Sequence, residues 1–148
     1  MKNSNQKVWF ITGASKGLGL SLAKRLLNEG EKVVATSRNL EELENAVGNH
    51  ENFLPLILNL TDEKNVGEGI EKAMNHFGKI DVVVNNAGYG LTGALEELSD
   101  DEARKNFDIN VFGSLNVIRK VLPYLRQQKS GHILSLIHIS EPTRRYAI

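Results

Sequence analysis

The sequence predicts an α/β fold: a parallel sheet covered by helices on both faces, in three layers. Three observations predict it. Segments rich in β-branched apolar residues alternate with longer stretches of helical period. The run Val82-Val83-Val84 does not alternate with polar residues, as in a strand buried on both sides. A glycine-rich turn stands where the first strand gives way to the first helix, the place at which an open parallel sheet takes its ligands.

Val8 to Thr12 reads as the first strand and Lys16 to Glu29 as the first helix, which Gly30 stops. Lys32 to Ser37 gives the second strand. Asn39 can cap a short helix, with Glu42 placed to reach back to the cap. Phe53 to Asn59 is the third strand; Pro55 near its start puts it at a sheet edge, where a missing N–H is tolerated. Asp62 and Glu63 open a helix whose Val66, Ile70, Ala73 and Phe77 share one face and which Gly78 ends. Ile80 to Asn85 is a central strand. Ser99 with Glu102 forms a capping box for a long helix, lined on its inner side by Phe107, Val111, Ser114, Leu115, Ile118 and Leu122 and bent or ended at Pro123. Right-handed crossovers between such strands give the doubly wound sheet.

Composition narrows the function. The chain has 148 residues, enough for one domain. Its 18 basic and 18 acidic side chains leave no net charge, so nothing electrostatic points to nucleic acid or to an anionic membrane. Without cysteine there is no disulfide, thiol nucleophile or thiolate metal site, which suits a reducing compartment. No apolar run approaches the roughly 18 residues of a spanning helix, and Met1 to Gln6 holds no signal-peptide core. A cytoplasmic protein is expected. His50, His76, His132 and His138 show no ligand spacing.

Two motifs carry chemistry. In Thr12-Gly13-Ala14-Ser15-Lys16-Gly17-Leu18-Gly19, absent side chains let the backbone turn and approach a pyrophosphate, while free N–H groups and the helix dipole attract negative charge. The plainer alternative is a turn kept only for close packing. It is not a P-loop, since Leu20 and Ser21 come after Gly19 in place of Gly-Lys-Ser/Thr. Asn85-Asn86-Ala87-Gly88 ends the Val-rich strand beside that turn. Its Asn pair can hold the loop and a neighbouring strand, and Ala87 and Gly88 leave room for a flat ligand. An Asn-rich turn without a ligand is the alternative there.

Together these motifs, in this order and on these elements, resemble the short-chain dehydrogenase/reductase (SDR) family from about Lys7 to Ile133. The resemblance implies a Rossmann-type fold and hydride transfer between NAD(H) or NADP(H) and a small carbonyl or alcohol substrate. It implies that Gly13, Ser15, Lys16, Gly17, Leu18, Gly19, Asn86, Ala87 and Gly88 surround the cofactor, and that Asn110 is the catalytic Asn of a water relay. Relatives carry an Asp for the adenine amino group where this chain has Asn59, with Leu60 next to it; the Asn59 amide oxygen can still accept that bond. NAD-preferring relatives place an acid at Ser37. Here Arg38 comes next instead and Lys16 lies in the turn, so NADP(H) is preferred over NAD(H), unless both cations are merely solvated. Tyr89, Gly90 and Leu91 border the substrate pocket, and the long helix resembles one that pairs subunits, implying a homodimer or homotetramer of the parent.

The family's Tyr-x-x-x-Lys is missing: Tyr89, Tyr124 and Tyr146 have no Lys four residues on, and neither Ser135 nor Ser140 matches the family's Ser. Leu134 to Arg144 resembles a translated sequencing adapter. The expected organisation is therefore an incomplete dinucleotide-binding domain over 1–133, truncated after the fifth strand, with an adapter-derived tail over 134–148 whose Leu134, Leu136 and Ile139 could stand in for that strand. Such a chain should be catalytically inactive for want of acid–base chemistry and should expose a sheet edge that invites aggregation. A non-catalytic NADP(H)-binding sensor or interaction module is the alternative.

Overall fold

A computed structural model describes residues 6–137; His138, Ile139, Ser140 and the rest of the adapter-like string lie outside the described residues. Five parallel strands form one sheet in the order β3-β2-β1-β4-β5: β1 Val8–Ile11, β2 Lys32–Ser37, β3 Phe53–Ile57, β4 Val82–Asn85 and β5 His132–Ser135. β4 lies between β1 and β5, as its Val run requires, and all four of its residues are buried. β5 runs through the expected boundary at 133, pairing Leu134 with Val84 and Ser135 with Asn85.

Alternation builds the layers. Val8 and Phe10 of β1, Val34 of β2 and Val83 of β4 turn to one face, where they pack with Val66, Ile70 and Ala73 of α3 (Glu63–Phe77) and Val117, Val121 and Leu125 of α5 (Ser114–Gln128). Ile11, Val33, Ala35, Val82 and Val84 turn to the other, against Ala23, Leu26 and Leu27 of α1 (Gly17–Asn28) and Leu43 of α2 (Leu40–Val47). A Val strand is apolar throughout because both its faces are core. β3 is an edge strand, as Pro55 predicts. Asn52 O and Leu58 N bond to β2, so the odd-numbered Pro55 turns its nitrogen to the open side and no bond is lost.

Three helix expectations are corrected. Asn39 Oδ1 accepts from Glu42 N at 3.2 Å, but the Asn39 N–H goes to Ser37 Oγ at 3.2 Å instead of to the Glu42 carboxylate, so only half of that box forms. The long helix is α4 (Asp100–Phe107) joined to α5 by a π-helical turn over Asp108–Gly113, and it continues past Pro123 to Gln128. The turn's extra residue rotates every side chain of α5 about the helix axis. Gly113, Ser114, Val117, Val121 and Leu125 face the core, while Phe107 and Leu115, expected inside, are exposed. The Ser99–Glu102 capping box is complete.

Glu63, at the start of α3, ties that helix to α5: its carboxylate accepts from Lys120 Nζ and Arg119 Nη1, both at 3.1 Å. These donors, Lys120 first, hold the Glu63 carboxyl below the usual glutamate range. A depressed carboxyl stabilises the fold above its unfolded pKa, and the contribution is lost as pH falls through the folded value. Thermal unfolding of Glu63→Gln should therefore fall below wild type near neutrality, the gap narrowing once pH drops below the ordinary glutamate value of about 4.3 and closing as the Glu63 carboxyl itself protonates. A gap that persists at low pH would place the effect in packing rather than in charge.

Candidate functional site

The site forms where β1 and β4 end side by side. Thr12, 1% exposed, joins them. Its Oγ1 accepts from Asn86 N at 3.1 Å and Ala87 N at 3.0 Å and donates to Val84 O at 3.4 Å. Asn86 answers from the other loop, its Nδ2 donating to Thr12 O and Gly13 O, each at 3.0 Å. The glycine turn and the Asn86 loop are thus laced by four hydrogen bonds across a separation of more than seventy residues. Asn85 Nδ2 donates to Ser114 O at 3.4 Å, joining β4 to α5.

The glycines differ in purpose. Gly13 has φ +65°, and a Cβ there would lie 2.7 Å from Ala87 Cα. Gly19 has ordinary φ, but a Cβ would meet Asn86 Nδ2 at 2.5 Å and Gly13 O at 2.6 Å, so its role is to let α1 approach the clamp. Gly17 has φ +60° with open space around it, which its conformation alone explains. Ala87 is small because Gly13 presses on it. At Gly88 a Cβ would collide with Ile137 and come within 2.8 Å of Asn110 Oδ1, so packing within the protein also calls for glycine there.

α1 begins at Gly17 with no side-chain cap and no acid in its first turn, whereas α2, α3 and α4 are capped by Asn39, Asp62 and Ser99 and carry acids there. Its first N–H groups are left for an anion. In front of it opens a cleft of about 860 Å3, large enough for a cofactor-sized ligand. Gly13, Ser15, Lys16 and Leu18 of the turn, Ser37 and Arg38 after β2, Asn59 and Leu60 after β3, and Asn86, Ala87 and Gly88 after β4 all line it. Gly17 and Gly19 shape the turn behind that wall. Leu18, on the cleft lining, is 72% exposed.

Cations outnumber acids on the lining, Lys16, Arg38 and Lys105 against Asp108. Lys105 is held as an ammonium by Asp101, whose carboxylate lies 2.6 Å away and raises its pKa. Asn110 stands in the π-turn, half-buried rather than on an inward helix face. Its Oδ1 accepts from Tyr89 N at 3.1 Å and its Nδ2 donates to Tyr89 O at 2.8 Å, a carbonyl that also accepts from Asn106 Nδ2 at 2.7 Å. Asn110 thereby fixes the loop after Gly88. Tyr89 lines the cleft as expected; Gly90 and Leu91 are not on its wall.

One expected contact is changed. Asn59 Oδ1 already accepts from Thr61 N at 3.1 Å and Thr61 Oγ1 at 2.8 Å, so it is not free for an adenine amino group. Sequence reasoning also passed over Thr12, although it heads the glycine-rich motif, and the lining residues Thr36, Thr61, Lys105 and Asp108. A hydroxyl at the end of the first strand was the available signal for Thr12; the others carry none that their spacing reveals.

Comparison with known proteins shows the family and the fold. A family model described as short chain dehydrogenase matches residues 7–140. Oxidoreductase BOA17 of Botryotinia fuckeliana is 45% identical over 132 residues, covering 88% of this chain and 48% of that protein. A solved 3-ketoacyl-(acyl-carrier-protein) reductase from Brucella melitensis, complexed with NADH, superposes with a TM-score of 0.80 at 31% identity, covering 87% of this chain and 56% of the other. An alcohol dehydrogenase from the archaeon Thermococcus sibiricus, complexed with 5-hydroxy-NADP, gives 0.80 at 31%, covering 88% and 57%. The chain spans about half to two-thirds of the length of the curated relatives it matches.

Proposed function

Because this chain belongs to the short-chain dehydrogenase family, we propose that it is the dinucleotide-binding part of an oxidoreductase that moves hydride between NADP(H) and a small carbonyl or alcohol substrate. One observation carries the reading: residues from the glycine turn, the ends of β2 and β3 and the Asn86 loop share one cleft at the uncapped start of α1. The Brucella and Thermococcus relatives, bound to NADH and to a NADP derivative, support a nicotinamide cofactor. When bound, that cofactor would supply or accept the hydride.

This chain's own residues would do the holding. The uncapped N–H groups at the start of α1 would take the diphosphate, and the Thr12–Asn86 clamp would hold the turn beside it. Arg38 and Lys16 both line the cleft and would supply cations to a 2′-phosphate, and no acid lines it at Ser37 or Arg38 to prefer a bare ribose, which supports the choice of NADP(H). Asn110 orients the Tyr89 loop at the substrate end. With no Tyr-x-x-x-Lys in its 148 residues, the chain has no proton donor paired to the hydride and is read as a binder without turnover. Residues 1–133 form the binding unit in this reading, and its parent acts as a homodimer or homotetramer.

Calorimetric titration of the purified chain tests it. NADPH should bind about tenfold or more tightly than NADH, a preference that Arg38→Ala should largely erase, and added ketones should leave NADPH unoxidised. Tighter binding of NADH would overturn the choice of cofactor, and oxidation of NADPH would overturn the reading of a silent binder.

A further inference from the structure

The geometry points to Asn59 as a hydrogen-bond donor at the base-binding end of the cleft, so that the site takes a 6-oxopurine dinucleotide as readily as the adenine form. The inference rests on the proposed dinucleotide binding and deepens it. It begins with the turn after β3. Asn59 Oδ1 accepts twice from Thr61, from the backbone N–H at 3.1 Å and from Oγ1 at 2.8 Å, which uses both lone pairs of an amide oxygen. A backbone N–H can only donate, so the oxygen must be the atom turned to Thr61 and the Nδ2 amide group is turned away.

The backbone carbonyls of Asn59 and Leu60 are also engaged. Asn59 O accepts from Asp62 N at 3.1 Å, and Leu60 O accepts from the buried Asn116 Nδ2 at 2.9 Å. Arg119 Nη1 holds Asn116 in place through its Oδ1 at 3.1 Å, and Gly113 packs against the Leu60 side chain. Asn59 N is itself taken by Asn65 Oδ1 at 2.8 Å. Asn59 Nδ2 and Leu60 N, by contrast, donate no hydrogen bond among the described residues. Of the polar groups of Asn59 and Leu60, those left to spare are donors.

Leu58 and Leu60 make the same wall apolar, as a flat ring requires, and Ser37 and Arg38 stand beside it for the attached ribose and phosphate. An adenine edge sets an amino donor beside the N1 acceptor; a hypoxanthine edge sets a carbonyl acceptor beside an N–H. Facing a donor, adenine pairs through N1 and hypoxanthine through O6, and neither is left with an unmatched group pressed on the protein. Facing a carboxylate where the Asn59 amide now stands, the adenine amino group would be bonded directly, whereas hypoxanthine would have to turn its carbonyl aside and slide its N1–H onto the oxygen, so the adenine form gains relative to the 6-oxopurine form.

The test compares NADPH with nicotinamide hypoxanthine dinucleotide phosphate by calorimetric titration of the full chain, as wild type and as Asn59→Asp. An aspartate keeps one oxygen for Thr61 and turns the other to the cleft, so the turn is preserved while the polarity is reversed. Wild-type dissociation constants within about threefold of each other are expected, against a preference of about tenfold or more for the adenine form in Asn59→Asp. A wild-type preference for adenine beyond threefold overturns the proposal, as does a ratio that Asn59→Asp leaves unchanged. If Asn59→Asp shows no cooperative unfolding, the wild-type ratio decides alone. Failure of both nucleotides to bind wild type would instead remove the dinucleotide reading, and this inference with it.

Discussion

Gly13→Ala is expected to be among the most damaging single-atom additions to this chain: about 2–4 kcal/mol of stability and all measurable dinucleotide binding. Two independent costs add. The residue sits at φ +65°, where an L side chain loses roughly 1–2 kcal/mol. The added carbon would also lie 2.7 Å from Ala87 Cα and 2.9 Å from its Cβ. Ala87 cannot yield cheaply, because its N–H is bonded to Thr12 and its neighbour Asn86 is held to the same turn. Either the Asn86 loop moves away, opening the clamp, or the turn flattens and withdraws its amides from the ligand. Denaturant unfolding and NADPH titration measure the two losses separately. Gly17→Ala is the control, since its φ is also positive but nothing lies within 4 Å of the added carbon. Equal stability loss in both variants would show that backbone conformation, not contact with Ala87, sets the cost.

The frame of this fold was open to reading because its signals are local. Val82-Val83-Val84 reports burial on both faces of one strand, and Pro55 reports an edge, each from a few consecutive residues. Lys32–Ser37 matches the expected strand end for end. The π-turn escaped because Asp108 to Gly113 holds no proline and no break in apolar content, so α4 and α5 read as one regular helix. Once one residue is inserted, an apolar stripe extrapolated from Phe107 no longer points inward. Phe107, Phe112 and Leu115 are consequently exposed while the smaller Val117 and Val121 fill the core.

Within the site, the residues facing the cleft were legible where glycine and asparagine spacing marks a turn. Their bonding was not. The sequence allows Asn59 to offer either end of its amide, and only the nearby Thr61 selects which. Likewise Asn110 could be read as a helix residue of the active site, but its hold on both backbone groups of Tyr89 depends on a loop more than twenty residues earlier in the chain. Contacts of that kind arise from tertiary placement and leave no periodic trace.

Thr12 is the sharpest instance, and its substitution is the second large effect expected. Thr12→Val keeps the shape of a buried, 1% exposed side chain and removes only the hydroxyl. Two backbone donors, Asn86 N and Ala87 N, then lose their acceptor. Each unsatisfied donor costs about 1–3 kcal/mol when water cannot reach it. Both are partly buried, so the combined loss should fall nearer 2–4 kcal/mol than the sum of two full penalties. Binding should suffer further, because freeing those amides releases the loop that Asn86 Nδ2 anchors to Thr12 O and Gly13 O. Thr12→Ser restores the hydroxyl while giving up a methyl group, and it should recover most of the affinity for NADPH even where it does not recover all of the stability. If valine binds the nucleotide as well as serine does, the hydroxyl lace across the end of β1 and β4 is dispensable, and the cleft is held open by the backbone alone.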